Sequence, residues 1–266
     1  MALDLDGTLI GDDLTISARV RAAIAGAQQR GVTVTLATGR MFAVAAHFAR
    51  DLEISAPLIC YQGALIQAPG AQAPLYLATM ERKLMGEILE LQARRGWSVV
   101  LYTASEAFVA RRAYPALFHD ILARESLAWV DDFQSVILQH EPVKFIAIAE
   151  PAEADGIETE LGLHFDGRLE VVRSHAIVVE GHPLGVSKGD ALARLAAHLG
   201  VPQAQVMAIG DQDNDASMIA WAGIGVAMGN ASPSSRAVAD WIAPTVGQDG
   251  VAVAIAHFIL NNGGGT

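Results

Sequence analysis

The chain has 266 residues, 52% hydrophobic and 18% charged, enough apolar side chain for two packed domains and far too much for a disordered chain. A formal net charge of −11 with no basic stripe argues against nucleic acid or an anionic membrane as the main partner. The single cysteine, Cys60, rules out an internal disulfide. No stretch nears the roughly 18 uninterrupted apolar residues that span a bilayer, and the start lacks a signal peptide, so a soluble cytoplasmic protein is expected.

The first residues predict a strand over 1–5, followed by Asp6-Gly7-Thr8 as a turn. On such a strand Asp4 and Asp6 would share one side and repel each other unless a cation sits between them. A divalent ion is the simplest candidate, because Mg²⁺ is held by one or two carboxylates plus phosphate oxygens. The same residues also read as an ordinary solvated turn. Ser17 caps a predicted helix through Val20, Ala23, Ile24 and Ala27 that stops at Gly31. β-Branched residues over 32–37 predict a strand ending at Thr38-Gly39-Arg40. A helix over 43–52 and an apolar run over 58–61 complete a β-α-β-α-β succession, whose parallel sheet would carry functional groups at the carboxyl ends of its strands. Cys60, in that last run, reads as a buried core thiol.

Between 79 and 184 the character changes. A helix over 81–95, strands at 98–102 and 107–111, a strand at 143–149, a helix over 152–161 and paired strands at 169–172 and 176–180 suggest an inserted α+β domain of antiparallel pairs. The stretch 103–136 yields little beyond one strand. Alternation resumes after Gly185, with a helix over 188–199, a strand at 206–209, the polar loop 210–214, a helix over 216–221 and a strand at 224–227. A helix over 232–239, a short strand at 241–243 and a helix over 251–260 follow. The Gly-rich tail 262–266 is expected to fray.

Polar clusters fall where this reading places strand ends or helix starts. Phosphoryl transfer needs a metal, a cation and hydroxyl or amide donors aimed at the phosphoryl oxygens. Lys188 can be the cation and Thr38 the hydroxyl. The Asp211-x-Asp213-x-Asp215 spacing is not a calcium loop, because Ala216 and Ala222 stand where that loop needs Gly and Glu. Trp97, Trp129, Trp221 and Trp241 read as core or partly buried surface, and the 139–141 group as solvated loop. His182 reads as structural.

Taken together, Asp4-Leu5-Asp6-Gly7-Thr8, Thr38-Gly39-Arg40, Lys188, and Gly210-Asp211 with Asn214-Asp215 resemble the four motifs of the haloacid dehalogenase-like phosphatases. They are similar in particular to the Cof-type group. The resemblance implies a doubly wound, Rossmann-like α/β core with an inserted α+β cap. It makes Asp4 the nucleophile and Asp6 the general acid and base, with Thr38, Gly39, Lys188 and Asn214 holding or orienting the phosphate. It gives Mg²⁺ to Asp4, the Asp6 carbonyl and Asp211, with Asp215 in support. Asp4 and Thr38 are 34 residues apart and Thr38 and Lys188 150, which places the insertion between the second and third motifs. The core is therefore expected over 1–78 and 185–266, and the cap over 79–184. Two departures stand out: Met1 is only three residues before Asp4, and Gln62-Gly63-Ala64 replaces a common Asn-Gly pair. The implied activity is hydrolysis of a small soluble phosphomonoester, a sugar phosphate or a phosphorylated cofactor. A phosphotransferase or mutase, or a regulator that only binds phospho-ligands, are the alternatives.

Overall fold

A computed structural model describes residues 1–11, 13–110 and 127–261. Residues 111–126 of the poorly legible stretch 103–136, and the tail expected to fray at 262–266, lie outside the described residues. The chain divides into two compact units, Met1–Tyr76 with Ser187–Thr266, and Leu77–Val186.

The first unit is built on a parallel five-stranded sheet in the order Trp241–Ile242, Ile224–Ala227, Met207–Gly210, Ala2–Leu3, Thr35–Leu36. Both faces of Met207–Gly210, Ala2–Leu3 and Thr35–Leu36 are buried, as expected of a sheet wound on both sides, while Ile242 on the edge strand is exposed. Ala2, Ala208 and Ala227 pack with Ala191, Leu192 and Leu195 of the helix Lys188–His198 and with Met218 and Ile219 of the helix Ala216–Trp221. The alternate residues Leu3, Leu36, Ile209 and Val226 are equally buried. Ser17 caps the helix Ala18–Gln29 as read, its hydroxyl accepting from the Val20 N–H at 3.1 Å.

Two strands are shorter than their apolar runs. The strand expected over 1–5 is Ala2–Leu3, and that over 32–37 is Thr35–Leu36. Asp6 therefore stands beyond the strand rather than along it. The run at 58–61 forms the strand Leu58–Cys60, which meets the parallel sheet only through a bridge between Ala37 and Ile59. Its ladder is antiparallel, with Leu65–Gln67. Cys60 is fully buried, and burial pushes its thiol pKa up.

The second unit is a six-stranded sheet in the order Glu170–His175, Val178–His182, Lys144–Ile148, Ser98–Tyr102, Ala107–Ala110, Leu127–Val130. Its pairings are antiparallel except the last, which is parallel. That strand, and the helix Gln134–Gln139 after it, fall in the stretch where sequence alone gave little. Val99, Leu101, Phe145, Ala147 and Val179 pack against Leu84, Ile88, Val136, Ile157 and Leu161 of three helices. On the alternate positions sits a buried ion pair. Lys144 Nζ donates to Glu180 Oε2 at 2.8 Å, and His182 Nε2 lies 3.3 Å from the same oxygen without an aligned hydrogen bond. Burial opposes ionisation of Glu180, but the neighbouring Lys144, assisted by His182, outweighs it and holds the carboxyl well below the usual range. Trp97 is in the core and Trp129 is exposed. Among the described residues, no helix is long and apolar enough to cross a membrane.

Candidate active site

The site is assembled within the first unit, where its strands and helices begin and end. Asp4 follows Ala2–Leu3 and is tied to the neighbouring strand by its N–H, which donates to the Ile209 carbonyl at 2.9 Å. Asp211 follows Met207–Gly210. Lys188 is the first residue of Lys188–His198, whose cap is Ser187, with the Ser187 hydroxyl accepting from the Asp190 N–H at 3.0 Å.

A lysine at a helix start opposes the helix dipole. Here it is 1% exposed and held by two carboxylates, its Nζ donating to Asp4 Oδ1 at 2.7 Å and to Asp215 Oδ1 at 2.5 Å. Burial works to neutralise the ammonium, but Asp215 and Asp4 outweigh it and keep it charged. Asp4, Asp211 and Asp215 are all buried, and one oxygen from each lies within 4.8 Å of the others. Three carboxylates thus face one ammonium. Burial, followed by the charge of Asp215, pushes the Asp4 carboxyl well above its ordinary range, and burial pushes Asp211 in the same direction.

This donor set fits a hard divalent cation. Mg²⁺ takes oxygens at about 2.0–2.1 Å, so two ligands of one ion stand at most ~4.2 Å apart, and the oxygens here lie within 4.8 Å of one another. The bonding already in place separates the three aspartates. Asp215 is engaged at both oxygens, since Oδ2 accepts from the N–H groups of Asp211 and Gln212, each at 2.9 Å. It is the brace of the loop. Asp4 Oδ2 accepts no hydrogen bond among the described residues, which leaves Asp4 one oxygen open to an ion.

Asp211 is oriented from three sides. Its Oδ1 accepts from Thr8 Oγ1 at 2.9 Å, and its Oδ2 from Gln212 Nε2 at 2.8 Å and Asn230 Nδ2 at 3.2 Å. Gly7 makes this approach possible: its φ is +81°, and a Cβ there would fall 2.2 Å from Asp211 Oδ2. Sequence reasoning gave Thr8, Gln212 and Asn230 no role. Asn230 could have been found, because it follows the strand Ile224–Ala227 at the same end of the sheet.

Thr38 is buried, and its Oγ1 accepts from the Arg40 N–H at 3.1 Å. Its own hydroxyl proton is committed to no described residue. One expected placement differs. Asp6 is not among the gathered carboxylates; its side chain is 51% exposed and gripped by Arg40. Asn214 Nδ2 donates to Gln62 Oε1 at 2.8 Å.

Residues 1–255 match the family model described as haloacid dehalogenase-like hydrolase. A 5-amino-6-(5-phospho-D-ribitylamino)uracil phosphatase of Bacillus subtilis, YcsE, is 33% identical over 264 residues, spanning 98% of this chain and 95% of its own. An HMP-PP phosphatase of Serratia proteamaculans is 29% identical over 241 residues, spanning 89% and 86%. A solved haloacid dehalogenase-like hydrolase from Bacteroides thetaiotaomicron superposes with a TM-score of 0.88 at 29% identity, covering 97% of this chain and 98% of that one.

Proposed function

The chain belongs to the haloacid dehalogenase-like hydrolases, and from that membership we propose a Mg²⁺-dependent phosphatase that works through an aspartyl-phosphate on Asp4. One observation carries the reading: a buried lysine bridges Asp4 and Asp215 beside Asp211, so the nucleophile candidate sits against a fixed cation and a cluster short of positive charge.

Asp4 and Asp211 would hold the ion, together with the Asp6 carbonyl and braced by Asp215. When bound, Mg²⁺ supplies the charge that lets Asp4 stay ionised and that draws the phosphoryl oxygens toward it. Lys188, Thr38 and the Gly39 amide would take those oxygens. An oxygen of Asp4 attacks phosphorus while the bond to the leaving oxygen breaks, and Asp6 gives its proton to that oxygen. Water then attacks the same phosphorus, Asp6 takes a proton from it, and the bond to Asp4 breaks, releasing inorganic phosphate and the free carboxylate.

The substrate is a small phosphomonoester. The phosphorylated ribitylaminouracil and the HMP-PP named in the relatives support a sugar phosphate or a phosphorylated cofactor. The second unit, Leu77–Val186, is a cap that chooses among monoesters by what lies beyond the phosphate. The test is phosphate release from a panel of monoesters with Mg²⁺ and with EDTA, for wild type and Asp4→Asn. Turnover in EDTA, or full activity in Asp4→Asn, would overturn the mechanism.

A further inference from the structure

We propose that Gln62 is a phosphate-binding residue of this site, its side-chain amide bridging Asn214 and the turn at Gly39 and offering Nε2 to a phosphoryl oxygen. The inference rests on the phosphatase reading, since it takes a phosphoryl group as the ligand.

Tyr61 and Gln62 are consecutive non-glycine residues with φ of 51° and 59°. L-residues adopt that conformation only where their surroundings fix it. Two backbone bonds do so here: the Tyr61 N–H donates to the Arg40 carbonyl and the Gln62 N–H to the Thr38 carbonyl, each at 3.2 Å. The corner is thus stapled to the turn that carries Thr38 and Gly39, and the Gln62 side chain is aimed across that turn.

The residue is 7% exposed, and its carboxamide offers an acceptor oxygen and a donor nitrogen. Its oxygen has a partner, Asn214 Nδ2 at 2.8 Å. Its Nε2 donates to no described residue. A Cβ on Gly39 would fall 2.5 Å from that nitrogen, so the amide lies directly on the glycine. Asn214 supplies the complement, because its Oδ1 is buried without a hydrogen-bond partner. The amide pair therefore holds one unused donor and one unused acceptor. A phosphoryl group satisfies both, a bare oxygen accepting from Nε2 and a P–OH or attacking water donating to Asn214 Oδ1.

The experiment titrates inorganic phosphate calorimetrically into the full-length Mg²⁺-loaded protein as wild type, Gln62→Glu and Gln62→Met. Thermal unfolding and p-nitrophenyl phosphate kinetics are read on the same samples. Replacing the donor with a carboxylate should weaken phosphate binding by roughly 10- to 100-fold. Gln62→Met, which keeps the bulk without donor or charge, should lose roughly tenfold and raise KM more than it lowers kcat. A purely structural role would move the melting temperature and leave the phosphate constant alone. Phosphate binding within twofold of wild type in either folded variant overturns the proposal, and Gln62→Met decides it alone if Gln62→Glu does not fold. Wild-type protein that binds phosphate through Gln62 but hydrolyses no monoester overturns the phosphatase reading only.

Discussion

Arg40 lays two guanidinium donors on the carboxylate of Asp6, Nε 2.7 Å from Oδ2 and Nη2 2.5 Å from Oδ1. This bidentate fork is the geometry that lysine cannot copy. It fixes a half-exposed carboxylate that would otherwise sample several rotamers, while Asp4, Asp211 and Asp215 are fixed by burial.

If Asp6 is the proton donor and acceptor, Asp6→Asn should cost roughly 10²–10⁴-fold in turnover, most on poor leaving groups. Arg40→Met should lose roughly tenfold by freeing Asp6, on the scale of one charge-assisted hydrogen bond. A double-mutant cycle separates the roles. In the Asp6→Asn background, Arg40→Met should have almost no further effect on kcat. A further tenfold loss there would mean that Arg40 meets the substrate itself.

How much of this was legible in the residues follows from which forces are local. The helix starting at Lys188 and the loop from Asp211 to Asp215 could be read because caps, glycines and period changes are written in adjacent residues. Lys188 also gave a physical hint of its partners, being a cation where the dipole disfavours one. The pairing of Asp6 with Arg40, and of Asn214 with Gln62, could not be read. Each joins residues far apart in sequence, through side-chain reach that no periodicity encodes. The strand Leu127–Val130 stayed hidden for a different reason: it pairs in parallel with Ala107–Ala110, so no tight turn marks it.

The excess of carboxylate over cation around Asp4 sets an expectation for metal binding that needs no activity assay. Mg²⁺ at about 100 times its Kd should stabilise the protein by ~2.7 kcal/mol, a rise of roughly 5–10 °C in the melting temperature of the unit that holds the site. Asp211→Asn should abolish the rise. Asp4→Asn should abolish it too, yet melt no lower than wild type in EDTA, because it removes the carboxylate that burial and Asp215 disfavour most. Differential scanning calorimetry with and without EDTA checks both. Loss of stability in metal-free Asp4→Asn would show instead that the Lys188 pair outweighs the repulsion.

Gly7 offers a way to disturb Asp211 without touching its charge. Alanine there meets two obstacles, a left-handed φ of +81° and a Cβ placed 2.2 Å from Asp211 Oδ2. The backbone cost is about 1–2 kcal/mol, and Asp211 must also swing out of the grip of Thr8, Gln212 and Asn230. Gly7→Ala should therefore weaken Mg²⁺ binding by at least roughly tenfold, the equivalent of one charged hydrogen bond. The apo protein should still fold. Mg²⁺ titration followed by the melting temperature reads the effect, and an unchanged Mg²⁺ midpoint would mean that Asp211 contributes little to holding the ion.

The second unit carries its own pH dependence. Glu180 is held ionised by Lys144, with its carboxyl well below the ordinary value of 4.5. An unfolded chain binds a proton at this carboxyl more readily than the folded one, so below that value stability rises with pH and is lost as pH falls. Its contribution is complete above about pH 4.5 and is lost as the solution is acidified further. Glu180→Gln should flatten that part of the stability profile, but at neutral pH it leaves Lys144 buried against a neutral amide. Lys144→Met leaves the opposite charge stranded and should cost roughly 3–5 kcal/mol, whereas the double replacement Lys144→Met with Glu180→Leu should recover most of that loss. Denaturant unfolding of the four proteins between pH 3 and 7 measures each term. If Lys144→Met alone is neutral at pH 7, the pair contributes nothing to holding the sheet together.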